Sequence, residues 1–267
     1  MTPSLQLTSI HLRVHDLARS VDFYARQAGF TVTTRTADRA ELSTSPQTSP
    51  LLTLTEDRGA AAVPADSAGL FHAALLLPDR AALGRWLRQA GDAGMNFAGF
   101  SDHGVSEAIY FSDPDGNGLE FYTDRPPESW PRENGGIAMT TLPLALPDLL
   151  SAAAALPRTE APLAGAHWGH LHIRVTNLDR SEKFYSDALG VTLTQRYGTS
   201  ARFLAADGYH HHLGLNTWGH PRRPLPPGVL GLAEARFAQA GRTAEQHIQD
   251  PDGIALHLVP QAAVAAK

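Results

Sequence analysis

Three consecutive histidines, His210, His211 and His212, follow Tyr209 and run into the alternating segment 213–218 (LGLNTW). A period of two is that of a half-buried strand. It puts His210, His212, Gly214 and Asn216 on one face and His211, Leu213 and Leu215 on the other, so the second face is expected to pack and the first to meet something polar. Imidazoles in such a row can bind a transition metal or carry protons near neutral pH; the alternative is a cluster satisfied by hydrogen bonds or water. The chain has 13 histidines and no cysteine. Disulfides, thiolate metal sites and cysteine nucleophiles are thereby excluded, and histidine and carboxylate remain as ligands. Two further stretches could face the row: residues 169–175 (GHLHIRV), with His170 and His172, and residues 70–77 (LFHAALLL), with His72.

Such side chains need a scaffold, and 267 residues that are 43% hydrophobic suffice for two ordinary domains. A net charge of −5 leaves no basic footprint, so nucleic acid is not an expected partner. No run of 18 apolar residues occurs, and residues 1–6 (MTPSLQ) lack a charged stretch before an apolar one, so the expectation is a soluble, cytoplasmic protein without a membrane partner.

The elements that position the histidines are legible as repeats. Residues 10–32 (IHLRVHDLARSVDFYARQAGFTV) lie over residues 171–193 (LHIRVTNLDRSEKFYSDALGVTL) without a gap, and ten of the 23 positions are identical. Each copy reads as a strand, a helix capped by Asp16 or Asn177, and a stop at Gly29 or Gly190. A second repeat pairs residues 112–121 (SDPDGNGLEF) with residues 249–258 (QDPDGIALHL), both turns feeding a last strand. The pattern predicts an α+β chain of four βαβββ modules forming paired curled mixed sheets with helices outside. These are a (8–56), b (69–124), c (167–218) and a shortened d (228–260). Module d is short because only 18 positions separate Leu232 from Asp250, against 41 from His72 to Asp113. The expected domains are 1–125 and 166–267, joined by a Pro- and Ala-rich linker, 126–165, with one helical piece near 148–156.

The openings SIHLRVHDLARSVDFY and GHLHIRVTNLDRSEKFY and the closings DPDGNGLEFYTDRP and DPDGIALHLVP resemble the vicinal oxygen chelate superfamily, which includes glyoxalase I, bleomycin-resistance proteins and extradiol dioxygenases. DHGVSEAIYFSDPDGNGLEFY and YHHHLGLNTW more narrowly resemble its two-domain catechol-2,3-dioxygenase-like members. The resemblance covers about 220 residues and implies a metal site built from the first and fourth strands of two modules. Module c then offers His170 and His212, and b offers His72 and Glu120. Module a has Ser9 opposite His170, with Thr53 or Thr55 on its last strand, and d offers Leu232 and His257. A full set exists only if b joins c, and a second site on a and d is not expected.

The resemblance implies a facial triad of His72, Glu120 and His170 for Fe(II), with Mn, Ni or Zn as alternatives. His212 would be a fourth ligand or the acid/base. His103 is a second acid/base or a turn histidine, and His172, His210, Asn216 and Tyr110 are candidates for the substrate pocket. His11 is read as pocket wall or core filler, Tyr122 as a group that orients a substrate oxygen or as packing, and His15, His167, His220 and His247 as surface or loop residues. The implied activity is extradiol cleavage of a catechol-like small molecule by dioxygen; a homo-oligomer stays open. Two alternatives remain: a glyoxalase-like isomerase or lyase, whose signature would be four protein ligands including His212, and a metal-free binding protein of the resistance type.

Overall fold

A computed structural model describes residues 3–133, 135–159 and 161–261. The expected outer domain bounds, residues 1 and 267, and linker positions 134 and 160 lie outside the described residues.

Module a comprises β1 (Leu5–Val14), α1 (Leu17–Asp22), β2 (Thr31–Arg35), β3 (Arg39–Ser43) and β4 (Leu52–Glu56), and α1 continues as one wider π turn over Phe23–Gln27. Module b follows with β5 (Gly69–Leu76), α2 (Arg80–Asp92), β6 (Phe97–Asp102), β7 (Ser106–Ser112) and β8 (Gly118–Asp124). The linker forms β9 (Arg132–Glu133), β10 (Gly136–Ile137), β11 (Leu142–Pro143) and α3 (Leu146–Ala152). Module c contains β12 (His167–Arg174), α4 (Leu178–Leu189), β13 (Thr192–Tyr197), β14 (Ala201–Ala205) and β15 (Leu213–Asn216). Module d has only β16 (Gly231–Gln239), β17 (Gln246–Gln249) and β18 (Ala255–Pro260). The caps Asp16 and Asn177 act as the sequence suggests, each accepting a hydrogen bond from the backbone N–H three residues on, and Asp79 does the same at the start of α2.

The sheets do not follow the chain halves. One has nine strands in the order β11-β6-β7-β8-β5-β12-β15-β14-β13, which is b joined to c; the other has seven, β17-β18-β16-β1-β4-β3-β2, which is d joined to a. The junctions are the antiparallel pairs β5–β12 and β1–β16. The two central strands β1 and β12 also pack on each other. Alternation drives this: Leu5, Leu7, Ile10 and Leu12 of β1 and Trp168, Leu171 and Ile173 of β12 are buried in one continuous core, which also takes Trp86 of α2.

The two sequence repeats meet as a matched pair of clamps. Tyr24, from the helical repeat of a, donates to Asp113 in the turn of b at 3.0 Å, and Tyr185 of c donates to Asp250 of d at 3.0 Å. Each aspartate also accepts two backbone N–H groups of its own turn, from Asp115 and Asn117 or from Asp252 and Ile254. Burial pushes both carboxyls up, and these hydrogen bonds oppose it. The two modules within each half of the chain are thus tied by polar clamps, whereas modules from different halves share a sheet. Tyr185→Phe should therefore cost about 1.5–3 kcal/mol, the worth of a hydrogen bond to a charged acceptor. Thermal melting would read this as a fall of roughly 2–4 °C per kcal/mol.

Candidate metal centre and cavity

On β12 the core residue Trp168 and the site residue His170 are two positions apart and would share a face in a regular strand. The ladder to β5 shows why they do not. Trp168 pairs with Leu75 and His170 with Ala74, so Gly169 is an extra residue, a β-bulge that reverses the phase. His170 and His172 turn away from the core, while Leu171 and Ile173 turn into it. Strand β1 carries the same bulge at Thr8, between Leu7 and Ser9.

Across the junction His172 pairs with His72, and the parallel pair β5–β8 sets Ala74 beside Glu120. These registers bring three side chains together. His72 Nε2 lies 2.9 Å and His170 Nε2 3.2 Å from the same Glu120 oxygen, Oε2. All three residues are buried, and their ligand-type atoms lie within 4.8 Å of one another. His72 Nε2 is buried yet makes no properly oriented hydrogen bond. Such an orphan is costly unless something else occupies its lone pair. Burial lowers the His170 imidazole to about 4, against the pull of Glu120. For Glu120 burial acts upward, but facing His170 and His72 it is held well below the usual carboxylate range. Near pH 7 the centre therefore offers a carboxylate and an unprotonated His170, and two imidazole nitrogens with one carboxylate fit a divalent transition metal.

The centre opens into a cavity of about 290 Å³. Phe71, Trp218, Phe203 and Met139 form apolar walls, and His72, Glu120, His172 and His211 line it beside the centre. The His172 ring lies against Gly214 of β15, where a Cβ would sit 2.7 Å from it, so a side chain at 214 would displace that ring. Tyr110 and His103 also line the cavity; the hydroxyl is 2.8 Å from His103 Nε2, and His103 Nδ1 is 2.6 Å from the carbonyl of Thr140, which requires that nitrogen to donate.

Three of the residues expected in the site are elsewhere. The period-two reading of the histidine row fails because the strand begins only at Leu213; Asp207 (φ 57°) and Gly208 (φ 72°) turn the chain just before it, so the pleat does not set the faces of residues 209–212. His212, expected as ligand or acid/base, lines a different cavity with Leu5, Leu7, Trp168 and Tyr209, and its Nδ1 accepts from the Ala206 N–H at 3.2 Å. His210, expected in the substrate pocket, is buried with Nε2 2.9 Å from Asp124 Oδ1. Asn216, also expected there, is buried and uses its Oδ1 to accept from the Trp218 N–H. His211, assigned to the packing face, instead lines the cavity, its ring centroid 4.0 Å from that of His170. Met139, Thr140 and Thr141 of the linker complete the wall. No periodicity pointed to them.

The family model described as the Glyoxalase/Bleomycin resistance protein/Dioxygenase superfamily matches residues 6–121 and 167–247. The chain is 41% identical over 239 residues to a protein named catechol-2,3-dioxygenase from Bacillus subtilis (strain 168), covering 85% of this chain and 83% of that protein. Among solved structures, a putative dioxygenase from Bacillus subtilis has a TM-score of 0.67 at 11% identity, covering 98% of this chain and 87% of its own. Glyoxalase I from Zea mays has a TM-score of 0.56 at 17% identity, covering 96% and 92%. At these identities the two structures share the fold.

Burial also lowers His212 to about 4. An imidazole held below its ordinary value of 6.5 leaves the unfolded chain to take up the proton first, so its contribution is whole above pH 6.5 and is lost as pH falls toward 4. The metal-stripped protein should lose stability over that interval in urea titrations. His212→Asn, which leaves the metal centre intact, should remove one proton's share of the slope, and an unchanged slope would contradict the depressed value.

Proposed function

Because the chain belongs to the glyoxalase/bleomycin resistance protein/dioxygenase superfamily, we propose that it cleaves the ring of a catechol-type aromatic beside its two hydroxyls, using dioxygen and iron(II) held by His72, Glu120 and His170. The observation that carries this reading is the convergence of two imidazoles and one carboxylate at the wall of an aromatic-lined cavity. The relative named catechol-2,3-dioxygenase supports the substrate class. Bound iron would supply adjacent open positions for a diol and dioxygen. The glyoxalase-like reading needed His212 as a fourth ligand, and that side chain faces another cavity. A metal-free binder would have no use for three buried ligand-type side chains.

The chain's own groups divide the remaining work. Phe71, Trp218 and Phe203 give flat apolar surfaces that fit an aromatic ring and keep water from it. Binding a catechol as an anion breaks an O–H bond, and His211 is the group we assign to receive that proton. Its support is a relay: His211 Nδ1 is 2.7 Å from His210 Nδ1, and His210 Nε2 is 2.9 Å from Asp124. Asp124 accepts from His210 Nε2–H, which makes His210 Nδ1 an acceptor for His211 Nδ1–H. His211 Nε2 then carries a lone pair, as a general base requires. The Tyr110 hydroxyl, supported by His103, is suited to orient a substrate oxygen.

The test is anaerobic reconstitution with Fe(II), then exposure to air with a panel of catechols while following the ring-fission chromophore. Glu120→Ala should lose both iron and turnover. His211→Phe should keep its iron by elemental analysis but lose turnover by about 10²–10⁴, the usual worth of an acid/base, whereas His212→Asn should retain both. Iron loss in His211→Phe would make that residue a ligand, and a silent parent enzyme with a full complement of iron would remove the dioxygenase reading.

A further inference from the structure

The sheet formed by a and d repeats the geometry of the sheet formed by b and c, and its register changes one correspondence. In the first sheet His172 pairs with His72 and His170 with Ala74; in the second His11 pairs with Glu234 and Ser9 with Arg236. Glu120 lies beside Ala74 and His257 beside Arg236. Tyr110 pairs with Glu120 and His247 with His257. The counterpart of His72 is therefore Glu234, two residues beyond Leu232, the position expected from counting along the shortened module. Glu234, His257 and His247 occupy the places of His72, Glu120 and Tyr110.

These three residues also converge. Their ligand-type atoms lie within 4.8 Å of one another. His247 Nδ1 is 3.1 Å from Glu234 Oε2, and His257 Nδ1 is 3.8 Å from Glu234 Oε1. The two rings stack at 4.0 Å and 19°, so both Nδ1 atoms aim at one carboxylate. A second carboxylate stands behind: Glu245 Oε2 is 3.0 Å from His257 Nε2. When that nitrogen donates to Glu245, neutral His257 turns the lone pair of Nδ1 toward the lone pairs of Glu234, an acceptor facing an acceptor. A cation between them resolves the conflict, and the outer carboxylate is the usual support of a metal-bound imidazole.

We propose that Glu234, His247 and His257 form a second divalent metal site, separate from the buried centre and open to solvent, for an ion of the zinc, nickel or copper type. Imidazole nitrogens with a single carboxylate select these ions over magnesium or calcium. Three protein ligands leave room for water. The nearby cations have other partners: Arg236 reaches toward Glu245 at 3.9 Å, and Arg39 pairs with Glu41 at 2.8 Å. His257 is 14% exposed, Glu234 32% and His247 67%, so an ion can enter without unfolding the sheet.

The experiment is calorimetric titration of Zn(II) into the full-length, metal-stripped protein and into Glu120→Ala, which lacks the buried centre. Glu120→Ala should still take up one equivalent, and adding His247→Asn or His257→Asn should weaken that uptake at least tenfold. Glu245→Gln in the same background should weaken it about 10–100-fold, as loss of an outer carboxylate does. In the parent protein the same histidine substitutions should lower the Zn(II) stoichiometry from two to one, so the result does not depend on Glu120→Ala folding well. Far-UV circular dichroism of the metal-free variants separates lost ligands from lost structure, and the exposed His247→Asn remains readable if His257→Asn misfolds. Unchanged Zn(II) uptake in folded His247→Asn, or a parent that binds a single equivalent lost with Glu120, would overturn the proposal and leave an ion-paired histidine cluster only.

Discussion

The antiparallel seam between β5 and β12 is the constraint on which the centre depends. His72 and Glu120 come from one half of the chain and His170 from the other, and only the backbone ladder across this seam holds them within a few ångströms. Within the seam, the single extra residue Gly169 decides the orientation of His170. Without it the phase set by Trp168 would send His170 into the core and Leu171 toward Glu120. A buried carboxylate facing leucine would keep His72 as its one imidazole neighbour and lose His170, leaving more of its desolvation cost of several kcal/mol uncompensated. The bulge therefore reconciles a strand that must bury its apolar residues on one side with a site that needs two imidazoles on the other.

The same bulge on β1, at Thr8, shows that the scaffold and the chemistry are separable. Both sheets keep the kink, the central antiparallel junction and the Tyr–Asp clamp, and those are features of folding. What differs is the side chains the geometry presents: His170 against Ser9, His72 against Glu234, Glu120 against His257. One sheet buries its ligand set beside an aromatic cavity, and the other leaves a partly exposed set at its rim. His247 lies on β17, the edge strand of its sheet, which leaves that side of the set open to solvent.

Much of this was legible in the residues. The gapless match of 10–32 with 171–193 and the paired DPDG turns carried the four modules, and the absence of a histidine at Ser9 implied that b must join c. Two inferences failed for physical reasons. Alternation over His210–His212 requires a strand that begins at Tyr209, but parity holds only where the backbone is pleated, and the positive φ angles at Asp207 and Gly208 break it just upstream. Counting along module d then put Leu232 in the place of His72, because a module that has lost a helix and a strand offers no constant spacing; only the ladder to β1 settles that register. The contribution of Met139, Thr140 and Thr141 to the cavity had no signal, since a Pro- and Ala-rich linker has no period from which a facing side can be read.

The electrostatics of the buried centre link its function to its stability. His170, His172 and His211 are held below their ordinary proton affinity chiefly by burial, and Glu120 stays ionised in the same dry surroundings because imidazoles face it. Such a cluster opposes folding: the orphaned nitrogens of His72, His170 and His172 gave up water without gaining a protein partner. A ligand that binds the folded chain and not the unfolded one returns stability by mass action. Deprotonated donors kept ready in an apolar wall are destabilising to an empty fold and favourable to a metal-loaded one. The seam and its bulge hold those donors together against their own solvation, and the core behind β12 supplies the burial that opposes the cost.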